Sequence, residues 1–249
     1  MKTFIATALL TLTSLAFAGD AAKLTHIGSS ADGKSYAFME SGIHDGMGNA
    51  YARIRILDTL ANKYAAPTIE RTQTEDEMEN PGIDLASVEA EVLKKAQDTL
   101  KKLNISSRVE VVASRKVTDL EARKLKELSF STSPIIGGLG SATYKLKLTQ
   151  SKVKPASDMF CMDPALAKKI KLEITDNQTK KVRTLQADTG LPTSRGCAHN
   201  YEIEDVVVIQ PDQSSELAAK VVVLIRVFTV GFEGEDVRYM AVSGALNVE

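Results

Sequence analysis

Reactive and metal-binding side chains are few in this 249-residue chain, which has three histidines (His26, His44 and His199) and two cysteines (Cys161 and Cys197). A covalent hydrolase needs a nucleophile, a base and an orienting acid, yet no Gly-x-Ser-x-Gly elbow occurs and both cysteines are expected to be oxidised. Zinc hydrolysis needs at least two well-spaced ligands, and no His-x-x-x-His pair is present. Paired carboxylates are harder to judge, because 32 Asp and Glu residues offer too many combinations to single one out. Asp45-Gly46-Met47-Gly48-Asn49 spaces oxygen donors around glycines, but it lacks the third carboxylate and the bidentate glutamate of a calcium loop, so a tight turn is expected. The most unusual group is Met159-Phe160-Cys161-Met162 with Cys197-Ala198-His199. Joined by a disulfide, the thioethers of Met159 and Met162 and the imidazole of His199 would form a soft donor set suited to copper. Methionine beside a disulfide more often fills gaps than binds metal, so copper ranks third among the functional readings and no cofactor is expected.

The expectation of a Cys161–Cys197 disulfide comes from the start of the chain. MKTFIATALLTLTSLAFA has one basic residue, Lys2, then an uncharged apolar segment, then small residues before a junction at Ala18/Gly19. These are the three parts of a secretory signal peptide over residues 1–18, too short and too cleavable to be a membrane span. An even pair of cysteines in an oxidising compartment forms a bridge. Residues 19–249 are then expected to be one secreted, β-rich domain in the periplasm or outside the cell. Without Lys2 the chain keeps 30 of its 31 basic residues against 32 acidic ones, a net charge of −2 that gives no electrostatic case for nucleic acid or anionic lipid. The absence of Trp lowers the expectation of a sugar-stacking platform.

Several elements must position these groups. Lys220 to Phe232, KVVVLIRVFTVGF, reads as a strand buried on both faces, flanked by strands at Tyr201 to Ile209 and Val237 to Val242. Arg226 inside this run calls for a carboxylate, with Glu204 or Asp205 on the preceding strand as candidates. Upstream, Asp32-Gly33 predicts a hairpin turn between Leu24–Ile27 and Ser35–Glu40, and Tyr51–Asp58 alternates as a further strand. Arg71–Gly82 reads as an exposed linker or loop. Asp84 caps a predicted amphipathic helix near 85–103, with Leu85, Val88, Val92, Leu93, Ala96, Leu100 and Leu103 on one face and Lys94, Lys95, Lys101 and Lys102 on a solvated back. Arg108–Ser114 reads as a strand and Asp119–Leu128 as a short helix or loop. The cluster Gly137-Gly138-Leu139-Gly140 lacks the following helix a phosphate cradle needs, since Ala142–Gln150 alternates as a strand. Lys169–Thr175 and Lys181–Gln186 flank a turn sequence, Asp176–Lys180, giving a hairpin inside the disulfide loop. The fold class expected is mainly β (α+β): an antiparallel β sandwich or propeller-like layers with one amphipathic helix.

Two resemblances arise from these segments. Ser-Ala-Asp-Gly-Lys-Ser-Tyr-Ala-Phe, a glycine loop and Ile-Arg-Ile-Leu-Asp resemble a single blade of a periplasmic β-propeller, but no second copy follows. The opening GDAAKLTHIGSSADGKSYAF, the Cys197–Val206 segment CAHNYEIEDV and the closing Val227–Val242 segment VFTVGFEGEDVRYMAV resemble a family of predicted secreted proteins of unknown function from Gram-negative bacteria. That resemblance implies a periplasmic or secreted location and brings no catalytic residue. The favoured function is a non-catalytic binding or envelope-interaction module, its partner an envelope protein or a small ligand. A carboxylate-based hydrolase is the alternative, distinguished by a deep pocket lined with shifted carboxylates.

Overall fold

Every other residue of the strand β13 (Lys220–Val230) faces one of two hydrophobic cores, and that double burial organises the molecule. The computed structural model describes residues 19–246 apart from 66, 81, 108, 116–123, 133–141, 158, 160 and 212–217. The proposed signal peptide, the glycine cluster 137–140 and the first half of the segment 119–128 lie outside the described residues. Within them the chain is mainly β, with antiparallel pairing and one long helix.

Three sheets stack face to face. The central sheet has the order β14 (Glu235–Ala245), β13, β12 (Asn200–Ile209), β7 (Glu110–Ser114). On one side lies the amino-terminal sheet, with β1 (Lys23–Ser30), β2 (Ser35–Ile43), β3 (Ala50–Asp58), β4 (Lys63–Tyr64), β5 (Ile69–Thr72) and β6 (Ile105–Ser107). On the other lies the sheet β11 (Val182–Ala187), β10 (Lys168–Asp176), β9 (Thr143–Lys152), β8 (Glu127–Ser131). Val221, Val223, Ile225 and Val227 pack on Leu146, Leu148, Ile170 and Leu172, while Val222 and Leu224 pack with Tyr36, Phe38 and Leu57. Nine consecutive residues of β13 are buried. Each fully buried Val, Leu, Ile or Phe contributes roughly 1.5–3 kcal/mol over exposure, so this strand carries much of both interfaces. The layers are stacked rather than radial, the sandwich form of the expected fold.

Local chemistry explains the elements. Gly33 adopts φ +73° in the turn joining β1 and β2, the backbone freedom the Asp-Gly pair supplies. The helix α2 (Leu85–Lys102) begins where the Asp84 carboxylate accepts from the Ser87 N–H at 2.9 Å. It buries Val88, Val92 and Ala96 against Ala52, Ile54 and Ile56 of β3. Leu93, placed on the apolar face from sequence, is 40% exposed, because it follows Val92 by only one residue and turns away.

The segment 71–82 is more than a linker. Its start completes β5, and α1 (Glu75–Met78) follows, opened by a capping box in which the Thr74 N–H donates to Glu77 Oε2 at 2.8 Å. Thr74 and Glu77 hold the spacing that announces such a box in the sequence. Buried Gln73 ties this segment to β3 through the Ala50 N–H.

Candidate functional site

The three histidines do not form one centre; each lies beside a different carboxylate. His26 Nε2 donates to Asp205 at 2.8 Å and its Nδ1 is 2.5 Å from the Tyr36 hydroxyl, so both ring nitrogens are engaged. His44 Nδ1 lies 3.0 Å from Asp20 and the ring stacks on Tyr51 at 4.2 Å between centroids. His199 Nε2 is 3.4 Å from Glu235. Asp205 is held below the usual carboxylate range: burial pushes its pKa up, but the bonds from His26 and Ser114 and the nearby charges of His26 and Arg226 together outweigh that.

Cys161 and Cys197 form a disulfide, which ties the loop after β9 to the residues that enter β12. Beside it Met162 and His199 line a small recess of about 170 Å³, with Met162 68% exposed. Met159 packs against the core between the central and third sheets instead of lining the recess. Among the described residues no group of three or more His, Cys, Asp or Glu is arranged to hold a metal ion. The 45–49 segment is a turn: Asp45 accepts from the Glu233 N–H at 2.8 Å, and Gly46 and Gly48 adopt φ +79° and +71°.

A larger cleft, of about 660 Å³, opens along β14 where all three sheets meet. Its cations come from separate elements: Arg53 and Arg55 from β3, Lys63 from β4, Arg195 from the turn before β12, and Arg238 from β14. Leu57, Val227, Met240 and Ala241 supply apolar wall. Among the described residues no carboxylate and no histidine lines it.

Carboxylates sit behind the four arginines and fix them. Fully buried Glu40 lies 3.1 Å from Arg55 Nη2 and 3.9 Å from Arg53 Nη1. Buried Asp188 takes both ends of Arg195, at 2.5 and 3.0 Å. Burial works against the Arg195 charge, yet the bond to Asp188 raises its pKa, and Asp188 is lowered in turn despite its own burial. Asp20 pairs with Arg238 and accepts from the Tyr51 hydroxyl at 2.9 Å. Tyr51 has Arg53 and Arg238 over its ring at 5.1 and 4.8 Å. Lys63 makes no ion pair among the described residues.

The cleft also closes the edge of the central sheet. Alternate N–H groups of β14 donate to side chains or to the adjoining chain: Val237 to the Asp20 carbonyl, Tyr239 to Glu40, Ala241 to the Tyr64 hydroxyl and Ser243 to Asn62 Oδ1. An edge so occupied offers no free donors along this stretch for an added strand.

A sequence signal for this site existed in β3. Tyr51, Arg53, Arg55 and Leu57 share one face of the strand, and its two ends, Tyr51 and Leu57, lie in the core. Arginines between core positions on one strand face must be paired or must line a cavity. Arg195 carried no such signal, because a turn placed it.

A family model described as "Predicted secreted protein (DUF2259)" matches residues 37–245. No curated protein and no solved structure matches the chain.

Proposed function

The chain belongs to this family of secreted proteins, and from that premise we propose that it is a non-catalytic binding module of the cell envelope, exported with cleavage at Ala18/Gly19, whose ligand site is the cleft along β14. The observation that carries the reading is the composition of that cleft: five guanidinium and ammonium groups with apolar wall and, among the described residues, no carboxylate and no histidine. The four arginines are preorganised by buried carboxylates, which favours binding over catalysis because their geometry is set before a ligand arrives. A carboxylate-based hydrolase finds less support, since Glu40, Asp188 and Asp20 each engage an arginine and none faces the cleft.

The test is a thermal-shift screen of the protein starting at Gly19 against neutral sugars, short peptides, amines and organic acids, repeated with Ser194→Trp to fill the cleft. A ligand whose stabilising shift is lost in Ser194→Trp supports the reading. Turnover of ester, glycoside or peptide substrates that disappears with Glu40→Gln or Asp188→Asn, or ligand binding indifferent to Ser194→Trp, overturns it.

A further inference from the structure

The charge of the β14 cleft opposes that of the molecule. The whole chain has a formal net charge of −1, yet this concavity gathers Arg53, Arg55, Lys63, Arg195 and Arg238 without one acidic residue in its lining among the described residues. The carboxylates behind the wall do not neutralise it. Glu40 is shared between Arg53 and Arg55, Asp188 and Asp20 serve Arg195 and Arg238 singly, and Lys63 has no ion pair among the described residues. Glu70, the second partner of Arg53, is 59% exposed on the outer side, where solvent screens it. Burying several cations around one concavity is costly unless an anion completes it.

The apolar part of the lining adds to this. Leu57, Val227, Met240 and Ala241 would meet the body of a ligand, and the guanidinium forks suit planar carboxylate or tetrahedral phosphate oxygens. A volume of about 660 Å³ takes a molecule of metabolite size, not a polymer.

We propose that the β14 cleft binds a small organic anion, its carboxylate or phosphate group held among Arg53, Arg55, Lys63 and Arg238 and its apolar body laid on Leu57 and Met240. This rests on the reading of the chain as a binding module and specifies what that module takes. Lys63 is the adjustable contact: exposed and without an ion pair among the described residues, it attracts the anion without holding the fold together.

Isothermal titration with 4-phenylbutyrate, with phenyl phosphate and with the uncharged 4-phenylbutanol tests the proposal on the protein starting at Gly19. At least one of the two anions is expected to bind at least tenfold more tightly than the alcohol, and to weaken as salt is raised. The two anions against each other separate carboxylate from phosphate preference. Lys63→Glu is expected to lower anion affinity about tenfold with its urea midpoint unchanged. Equal binding of anion and alcohol, or an anion affinity unaffected by Lys63→Glu, overturns the inference while leaving the binding module intact. Capture of the protein by phosphatidylglycerol vesicles with neither soluble anion bound also overturns it. No ligand in these titrations or in the wider screen removes both readings.

Discussion

The Tyr51 hydroxyl donates to Asp20 Oδ1 across 2.9 Å, tying the first described residues of the chain to the third strand of the amino-terminal sheet. Burial and the neighbouring carboxylate push the Tyr51 pKa far up, although Arg238 draws it back in part, so the phenol keeps its proton and remains a donor. The same aspartate pairs with His44 and with Arg238, and its backbone reaches β14, where the Val237 N–H donates to the Asp20 carbonyl.

Asp20→Ala leaves Arg238 and His44 facing a site that has lost its anion. Breaking a buried pair by removing one partner costs about 3–5 kcal/mol, and Arg238 is 20% exposed, which discounts this to about 2–3 kcal/mol. Urea unfolding monitored by circular dichroism measures it. A midpoint equal to the parent would show that Asp20 is dispensable.

Arg226 sits at zero exposure, with Nε 3.3 Å from Glu204 and 3.7 Å from Glu202, and donates from Nη2 to the Arg115 carbonyl at 3.0 Å. A bulge in β12 between Ile203 and Asp205 sets Glu204 in reach. Arg226→Leu is expected to cost about 3–5 kcal/mol, because two acids are left without their cation. Adding Glu204→Leu to Arg226→Leu should recover part of the loss. An additive double variant would mean that the two residues do not act on one another.

Much of this was legible in the sequence and part of it was not, for physical reasons. The alternation of β3 and the unbroken apolar run of β13 report a strand facing one core and a strand facing two, and both are where periodicity puts them. Glu204 was also among the partners expected for Arg226, since a charge on a buried strand demands one nearby. The cleft was not legible as a site. Its cations come from positions as distant as Arg53 and Arg238, brought together by stacking three sheets, and pairing between sheets leaves no local periodicity. Thr74 and Glu77 were a missed local signal, because the acidic run around them reads as solvated loop.

The Cys161–Cys197 bridge closes a segment with a sequence separation of 36. Its loss in Cys161→Ser/Cys197→Ser is expected to lower stability by about 2–4 kcal/mol, read as a lower denaturant midpoint under oxidising conditions. The cleft should suffer too, because Arg195 and Gly196 adjoin Cys197 and line it. A double serine variant with parental stability would relieve the bridge of any structural role.

Acid should weaken the wall of the cleft through Asp188. Burial raises its pKa, but bonds from Arg195, the Ile170 N–H and Gln186 bring it below the usual carboxylate value of about 3.9. A carboxylate depressed in the folded state contributes stability that is present in full above its unfolded pKa and is lost as pH falls through the folded one. The stability of the parent should therefore fall from about pH 4 downward, and Asp188→Asn should be less stable at neutral pH with a shallower fall in acid. Urea midpoints collected from pH 7 to pH 2.5 on both proteins give the comparison. Parallel curves would mean that Asp188 does not contribute to the acid dependence and that Arg195 is held in place by Tyr201 and its own turn.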